Sequence, residues 1–256
     1  MAATAGLYLF YARARDANGA SSAHGYPRAL RHARQVVRAE HVLNLPSERA
    51  MQRLILPHHG LLRLLGGYYG SAHFLVTAGV LIWLVTRRPS AAARWAGVLA
   101  VTTACAVSVF WAYPVAPPRL MPPGPDLTVD TLSAIGGLWN YNHGVLERIN
   151  DPFAAMPSLH LAWALWCSLA LWHTRRARVA AGWSRLSLVA FVLGYPLLTG
   201  FTVLATGTHW TLDLVAGLAL VAAVAAAAAG LAPFSARYGG RNRASAVAPG
   251  ASKSLR

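Results

Sequence analysis

The sequence predicts an all-α protein: a polytopic membrane helical bundle of about five to six transmembrane helices, with an N-terminal amphipathic helical segment. Three observations predict it. Of 256 residues, 55% are hydrophobic and 12% charged, roughly half the charged fraction of an ordinary soluble domain. Five apolar blocks, at 68–86, 95–113, 157–173, 184–204 and 209–231, are close to the ~20 residues that cross a bilayer. The polar connections between them alternate in charge, as loops on opposite membrane faces do.

The elements follow in chain order. A short apolar run at 5–12 cannot span alone and lacks the basic region and small-residue cleavage site of a signal peptide; it reads as the stub of a first helix whose start is trimmed. Residues 28–43 place Leu30, Val36, Val37 and Leu43 among arginines, the pattern of an amphipathic helix that lies either in a membrane interface or against a solvated face. Residues 1–67 are thus an N-terminal segment, 68–231 a membrane-embedded core, and 232–256 a basic tail whose Gly, Ser, Ala and Arg from Tyr238 onward suit disorder. Cys105 and Cys167 both lie in apolar runs and read as small core residues, not a disulfide or metal pair.

The net charge of +15 does not point to nucleic acid, because no basic stripe with interleaved aromatics occurs. The arginines fall in loops. Arg87, Arg88, Arg94, Arg175, Arg176, Arg178 and the basic tail share one side, while Asp16, Glu40, Glu48, Asp126, Asp130, Glu147 and Asp151 share the other. Short-loop arginine marks the cytoplasmic face. The acidic side therefore faces outward, in a multi-pass protein of the cell membrane.

Three polar clusters lie on that acidic side. In "YPVAPPRL" (113–120) the prolines hold an extended backbone and Arg119 is the one charge; a guanidinium can fork onto phosphate oxygens. In "NDPFAAMPSLHLAWALW" (150–166) Pro157 suits the first turn of a helix, which places Ser158 and His160 at a helix start, where free N–H groups favour an anion. In "TGTHWTLDLVAG" (206–217) Gly207 and Thr208 can break one helix and cap the next, and His209 and Asp213 are four apart on one face. Asp213 is the one acid inside a predicted span, where a carboxylate is costly without a partner. A carboxylate bonded to one imidazole nitrogen leaves the other free to attack.

Together the clusters suit a lipid phosphate, whose charged head lies at the membrane surface. His209 would attack phosphorus with Asp213 orienting it, and His160 would protonate the leaving oxygen. Arg119, Ser158 and the helix-start amides would hold the equatorial oxygens. No carboxylate cluster or His-x-x-x-His pair suggests a metal, so no metal or cofactor is expected. A transporter or scramblase using the His–Asp pair as a proton relay is the alternative; it would want polar residues at mid-membrane in several helices.

"APPRL", "AAMPSLH" and "GTHWTLD", in this order, resemble the three signature regions of the type 2 phosphatidic acid phosphatase superfamily, closest to its inositol phosphorylceramide synthase-like branch. The resemblance covers roughly 68–231. It implies a six-helix membrane core with the active site at the bilayer surface, His209 as nucleophile, Asp213 as its partner, His160 as acid, and a phosphohistidine intermediate. Gly207 and Thr208 join Arg119 and Ser158 as candidate substrate-binding residues. The phosphatase pattern also places a Lys where this chain has Ala112 and an Arg where it has Val203; the synthase-like branch lacks both. A phosphodiester carries less charge than a monoester, so the loss favours a headgroup transferase with an alcohol acceptor such as inositol, or a phosphatase drawing cations from Arg148 or the arginines of 28–63.

Overall fold

The computed structural model describes residues 25–122, 128–135, 151–175 and 183–244. Among them the architecture is all-α. In chain order the helices are α1 (Gly25–Val42), α2 (Glu48–Ile55), α3 (His59–Arg87), α4 (Pro89–Ala112), the single turn α5 (Thr131–Ala134), α6 (Leu159–Arg175), α7 (Trp183–Ala205) and α8 (Thr211–Ala244), with a 3-10 turn at Pro118–Leu120. The stub at 5–12 and Arg148 lie outside the described residues.

Among the described residues four helices are long and apolar enough to cross a membrane: α3, α4, residues Arg185–Ala205 of α7 and Thr211–Gly230 of α8. The protein is therefore a largely helical fold consistent with a polytopic membrane bundle. Its outward faces carry Leu75, Ile82, Val101, Trp111, Leu193 and Leu197, a surface that lipid solvates at no cost. The fifth predicted span is α6, 17 residues long, or about 25 Å at the helical rise.

α6 is the central post, packed against α3, α4, α7 and α8. Its small and aromatic residues explain this. Ala162, Ala164, Cys167 and Ala170 let neighbours approach, and Trp166 fills the middle of the core with Val80, Leu84, Trp95 and Val98. The Trp166 indole N–H donates to the Trp95 carbonyl at 2.8 Å, which satisfies the one polar atom that burial strands. Cys167 is a small core residue as expected. Cys105 is not: it is exposed on α4, because an apolar run in a membrane helix has a lipid face as well as a core face.

α1 begins three residues before the predicted amphipathic segment. Its buried stripe is Gly25, Ala29, Ala33, Val36 and Glu40; of the larger apolar residues that the pattern singles out, Val36 alone belongs to it. Leu30 and Val37 are half-buried and Leu43 is exposed. The stripe packs onto Val115, Ala116, Phe153, Ala155 and Trp210, so α1 is a cover over the polar clusters. At the other end, α8 runs to Ala244; its alanine-rich run at 222–229 favours helix.

Candidate functional site

The three clusters meet, and backbone hydrogen bonds join them. Val115 N–H donates to Phe153 O at 2.9 Å, Arg119 N–H to Gly207 O at 2.9 Å, and Ser158 N–H to Asp213 O at 2.9 Å. The Trp210 indole donates to Ala116 O at 2.9 Å. The Asp151 carboxylate accepts from Phe153 N–H at 3.0 Å, which shapes the 151–155 turn. Segments distant in sequence thus share one frame of main-chain bonds, and their side chains inherit its rigidity.

The third cluster is built by two helix ends. Gly207 has φ +67°, the left-handed conformation that glycine adopts without strain. Its N–H donates to Leu204 O at 3.0 Å and that of Thr208 to Val203 O at 3.0 Å, the paired bonds that close a helix C-terminus. The Thr208 hydroxyl also donates to Val203 O, at 3.0 Å. Thr208 therefore finishes α7 and does not cap α8, contrary to the sequence reading, and the amides of Gly207 and Thr208 face α7 carbonyls. Helix α8 starts at Thr211, with Trp210 at the N-cap position and Asp213 in the first turn. Asp213 Oδ2 accepts from Trp210 N–H at 2.8 Å, half of a capping box.

His209 precedes this helix and is buried. Its Nδ1 lies 2.9 Å from Ala155 O and 3.4 Å from Asp213 Oδ2. Both are acceptors, so Nδ1 carries the proton and Nε2 the lone pair. The nearest acceptor is the Ala155 carbonyl, which spacing along the chain could not reveal; Asp213 stands just behind it. His209 Nε2 faces His160 Nδ1 at 3.3 Å.

In the second cluster Pro157 precedes the helix, which starts at Leu159. Ser158 is fully buried, and its hydroxyl accepts from Leu161 N–H at 3.4 Å, so Ser158 is the cap and Pro157 lies before the helix, not in its first turn as expected. Opposite it is Gly217, where a Cβ would come within 2.5 Å of Ser158 O. This glycine lets α8 touch the start of α6 and brings His209 to His160.

Two further side chains surround His160. Tyr69 stacks on its ring at 4.4 Å between centroids and His73 tilts against it at 4.2 Å. Both come from α3. His73 Nδ1 donates to Tyr69 O at 3.1 Å. Sequence reading missed this pair, although two polar aromatics four apart in an apolar run were a legible signal.

The Arg119 side chain is 6% exposed and donates through one guanidinium nitrogen to Asp130 Oδ2 at 3.2 Å. Its Nε has no partner, nor has the Thr128 hydroxyl. Both residues adjoin Gly207: a Cβ there would meet Thr128 Oγ1 at 3.2 Å and Arg119 Cβ at 3.4 Å. Two buried donors without acceptors in one cradle suit an anion. Of the arginines of 28–63, Arg28 donates to Ala112 O at 2.8 Å and Arg63 to Ile135 O at 3.5 Å. Among the described residues no group of three or more His, Cys, Asp or Glu is arranged to hold a metal ion.

This arrangement of a proton-fixed imidazole, a second imidazole at its free nitrogen and an adjoining guanidinium can support nucleophilic attack on phosphorus. The profile of the PAP2 superfamily, the type 2 phosphatidic acid phosphatases, matches residues 34–227. The chain belongs to the PAP2 superfamily. No curated protein and no solved structure matches it. The PAP2 match begins inside α1, so it takes in α2 and most of the cover as well as the bundle.

Proposed function

We propose that the protein is a metal-independent lipid phosphatase or phosphotransferase, working through a phosphohistidine on His209. The observation that carries this reading is the 3.3 Å approach of His160 Nδ1 to His209 Nε2, with Asp213 Oδ2 at 3.4 Å from the opposite nitrogen. The lone pair of His209 Nε2 attacks phosphorus, the P–N bond forms, and the bond to the lipid oxygen breaks. That oxygen takes the electron pair and a proton from His160. Water or an alcohol then gives its proton to His160 as it attacks phosphorus, and the P–N bond breaks. Asp213 steadies the imidazolium that forms on the way. The phosphorus and leaving oxygen must enter between the two rings, so His160 turns aside when substrate binds.

Arg119 and Thr128 would hold the equatorial oxygens. With Asp130 already against Arg119, the net positive charge is small, which favours a phosphodiester over a dianionic monoester. This supports a synthase-like transfer of a headgroup such as phosphoinositol to an alcohol. The site would face the extracytoplasmic side. Supporting this, α6 starts at the site and ends at Arg175, whose guanidinium lies over Trp83 with that of Arg88, forming a cationic opposite end. The deciding experiment incubates the purified protein in detergent with labelled lipid phosphates and phosphodiesters, with and without polyols. Acid-labile label on the protein, lost in His209→Ala, supports the reading; turnover without any phosphoprotein refutes it.

A further inference from the structure

Asp213, in the first turn of α8 just after His209, accepts the Trp210 amide, but the helix supplies no acceptor for its next two amides, those of Thr211 and Leu212. The N-cap position holds Trp210, and an indole cannot accept a hydrogen bond. The first amides of a helix have no intrahelical partner, and here Thr211 and Leu212 are half-buried. Two glutamates from other helices supply the acceptors. Thr211 N–H donates to Glu48 Oε1 at 2.7 Å and Leu212 N–H to Glu40 Oε1 at 2.7 Å. Glu40 is 5% exposed and Glu48 6%. They belong to α1 and α2, 172 and 163 residues away in sequence.

The same two helices hold the neighbouring segments. Gln52 on α2 donates to Val129 O at 2.9 Å and Ala205 O at 3.2 Å and accepts from Val129 N–H at 2.6 Å. The Thr211 hydroxyl donates to Pro46 O at 3.2 Å. The start of α8 is therefore suspended from the cover.

We propose that Glu40 and Glu48 are positioning residues for the His209–Asp213 pair: by accepting the first amides of α8 they set the angle at which that helix presents both side chains to His160. The inference rests on the phosphotransfer reading of the site.

Electrostatics give Glu40 a second property. Burial, then the charges of Glu48 on α2 and Asp213 on α8, push its carboxyl from 4.5 up to about 8, against the lowering effect of the Leu212 and Thr211 amides. Near neutral pH Glu40 keeps its proton, and its carbonyl oxygen serves the Leu212 amide. Ionisation at higher pH adds a negative charge beside Asp213. That charge repels an anionic phosphate, so turnover falls.

The test uses the full chain in detergent with labelled phosphatidic acid and phosphatidylinositol, on Glu40→Ala, Glu40→Gln, Glu48→Ala and Glu48→Gln. Amide exchange of the 206–217 peptide is measured alongside. Each alanine variant should lower kcat about tenfold or more, with KM within about twofold, since an acceptor is lost where a small misplacement is costly. The glutamine variants keep an acceptor oxygen and should stay within about threefold of wild type. Glu40→Gln should also lose the fall in turnover near pH 8. Exchange should quicken in the alanine variants only. Alanine variants with wild-type kcat, or glutamine variants as impaired as alanine, overturn the proposal. An inactive wild type whose alanine variants still exchange faster overturns the phosphotransfer reading instead, and the catalytic positioning with it.

Discussion

Gly217→Ala probes how closely two helices must meet for the site to exist. A Cβ at this position would stand 2.5 Å from Ser158 O, and ordinary contact begins at 3.4 Å, with 3.0 Å the closest that real Cβ atoms approach. The helices must therefore separate by 0.5 to 0.9 Å. The obstacle is backbone, so no side chain can swing aside. Ser158 N–H also donates to Asp213 O at 2.9 Å, so the opening lengthens a bond between the strip that bears His160 and the helix that bears Asp213. A misplacement of about 1 Å costs roughly a hundredfold in rate; the substitution should therefore lower kcat about ten- to a hundredfold. Gly97→Ala and Gly230→Ala, where nothing lies within 4 Å, should leave activity unchanged and stability equal or slightly higher. The assay is turnover of labelled lipid in detergent beside elution volume as a folding check. A Gly217→Ala protein that elutes normally and turns over as wild type refutes the reasoning.

Four further outcomes are expected. His209→Ala should abolish turnover on every substrate, whereas His160→Ala should be severe with a lipid alkoxide and milder with a nitrophenolate leaving group; equal loss on both assigns His160 to phosphate binding. Asp130→Asn removes the carboxylate held against Arg119 and should lower KM for a monoester about threefold more than for a diester, the scale of a partly exposed ion pair; equal effects on the two substrates reject the charge argument. Glu40 holds its proton more tightly folded than unfolded, so the stability this confers is fully present below about pH 4.5 and is lost as pH rises to about 8; melting temperature should fall across that window in wild type, and less steeply in Glu40→Gln. A cysteine placed near Asp126 should react with an impermeant reagent added outside, and one near Arg176 only after the membrane is opened; the reverse labelling rejects the outward-facing site.

The apolar blocks, the placing of polar clusters between them and the residue types of the site were legible in the sequence, because each is a local property. A span shows as a run of apolar residues, and His209 and Asp213 lie one helical turn apart, so a pattern four residues long contains their pairing. Helix ends were less legible. Thr208 had the composition of a cap for α8, yet the bonds of a closed C-terminus claimed it for α7, and Trp210 took the cap position. Cys105 and all of the α1 stripe except Val36 were misread for a related reason: apolar character does not say whether a face meets lipid, core or a partner helix.

The tertiary structure decided what surrounds the histidines. The Ala155 carbonyl on His209, the rings of Tyr69 and His73 on His160, the Thr128 and Arg119 donors beside Gly207, and the Glu40 and Glu48 acceptors on α8 all cross between elements. None follows from spacing, since each depends on how helices approach, and that is set by small residues such as Gly217 and by the need of buried amides and carboxylates to find partners. The sequence by itself determined that polar clusters lie between apolar, span-length blocks. Only the fold determined that α1 and α2 cover the site and hold its helix in place, because a half-buried helix start takes its hydrogen-bond acceptors from whatever chain passes beside it.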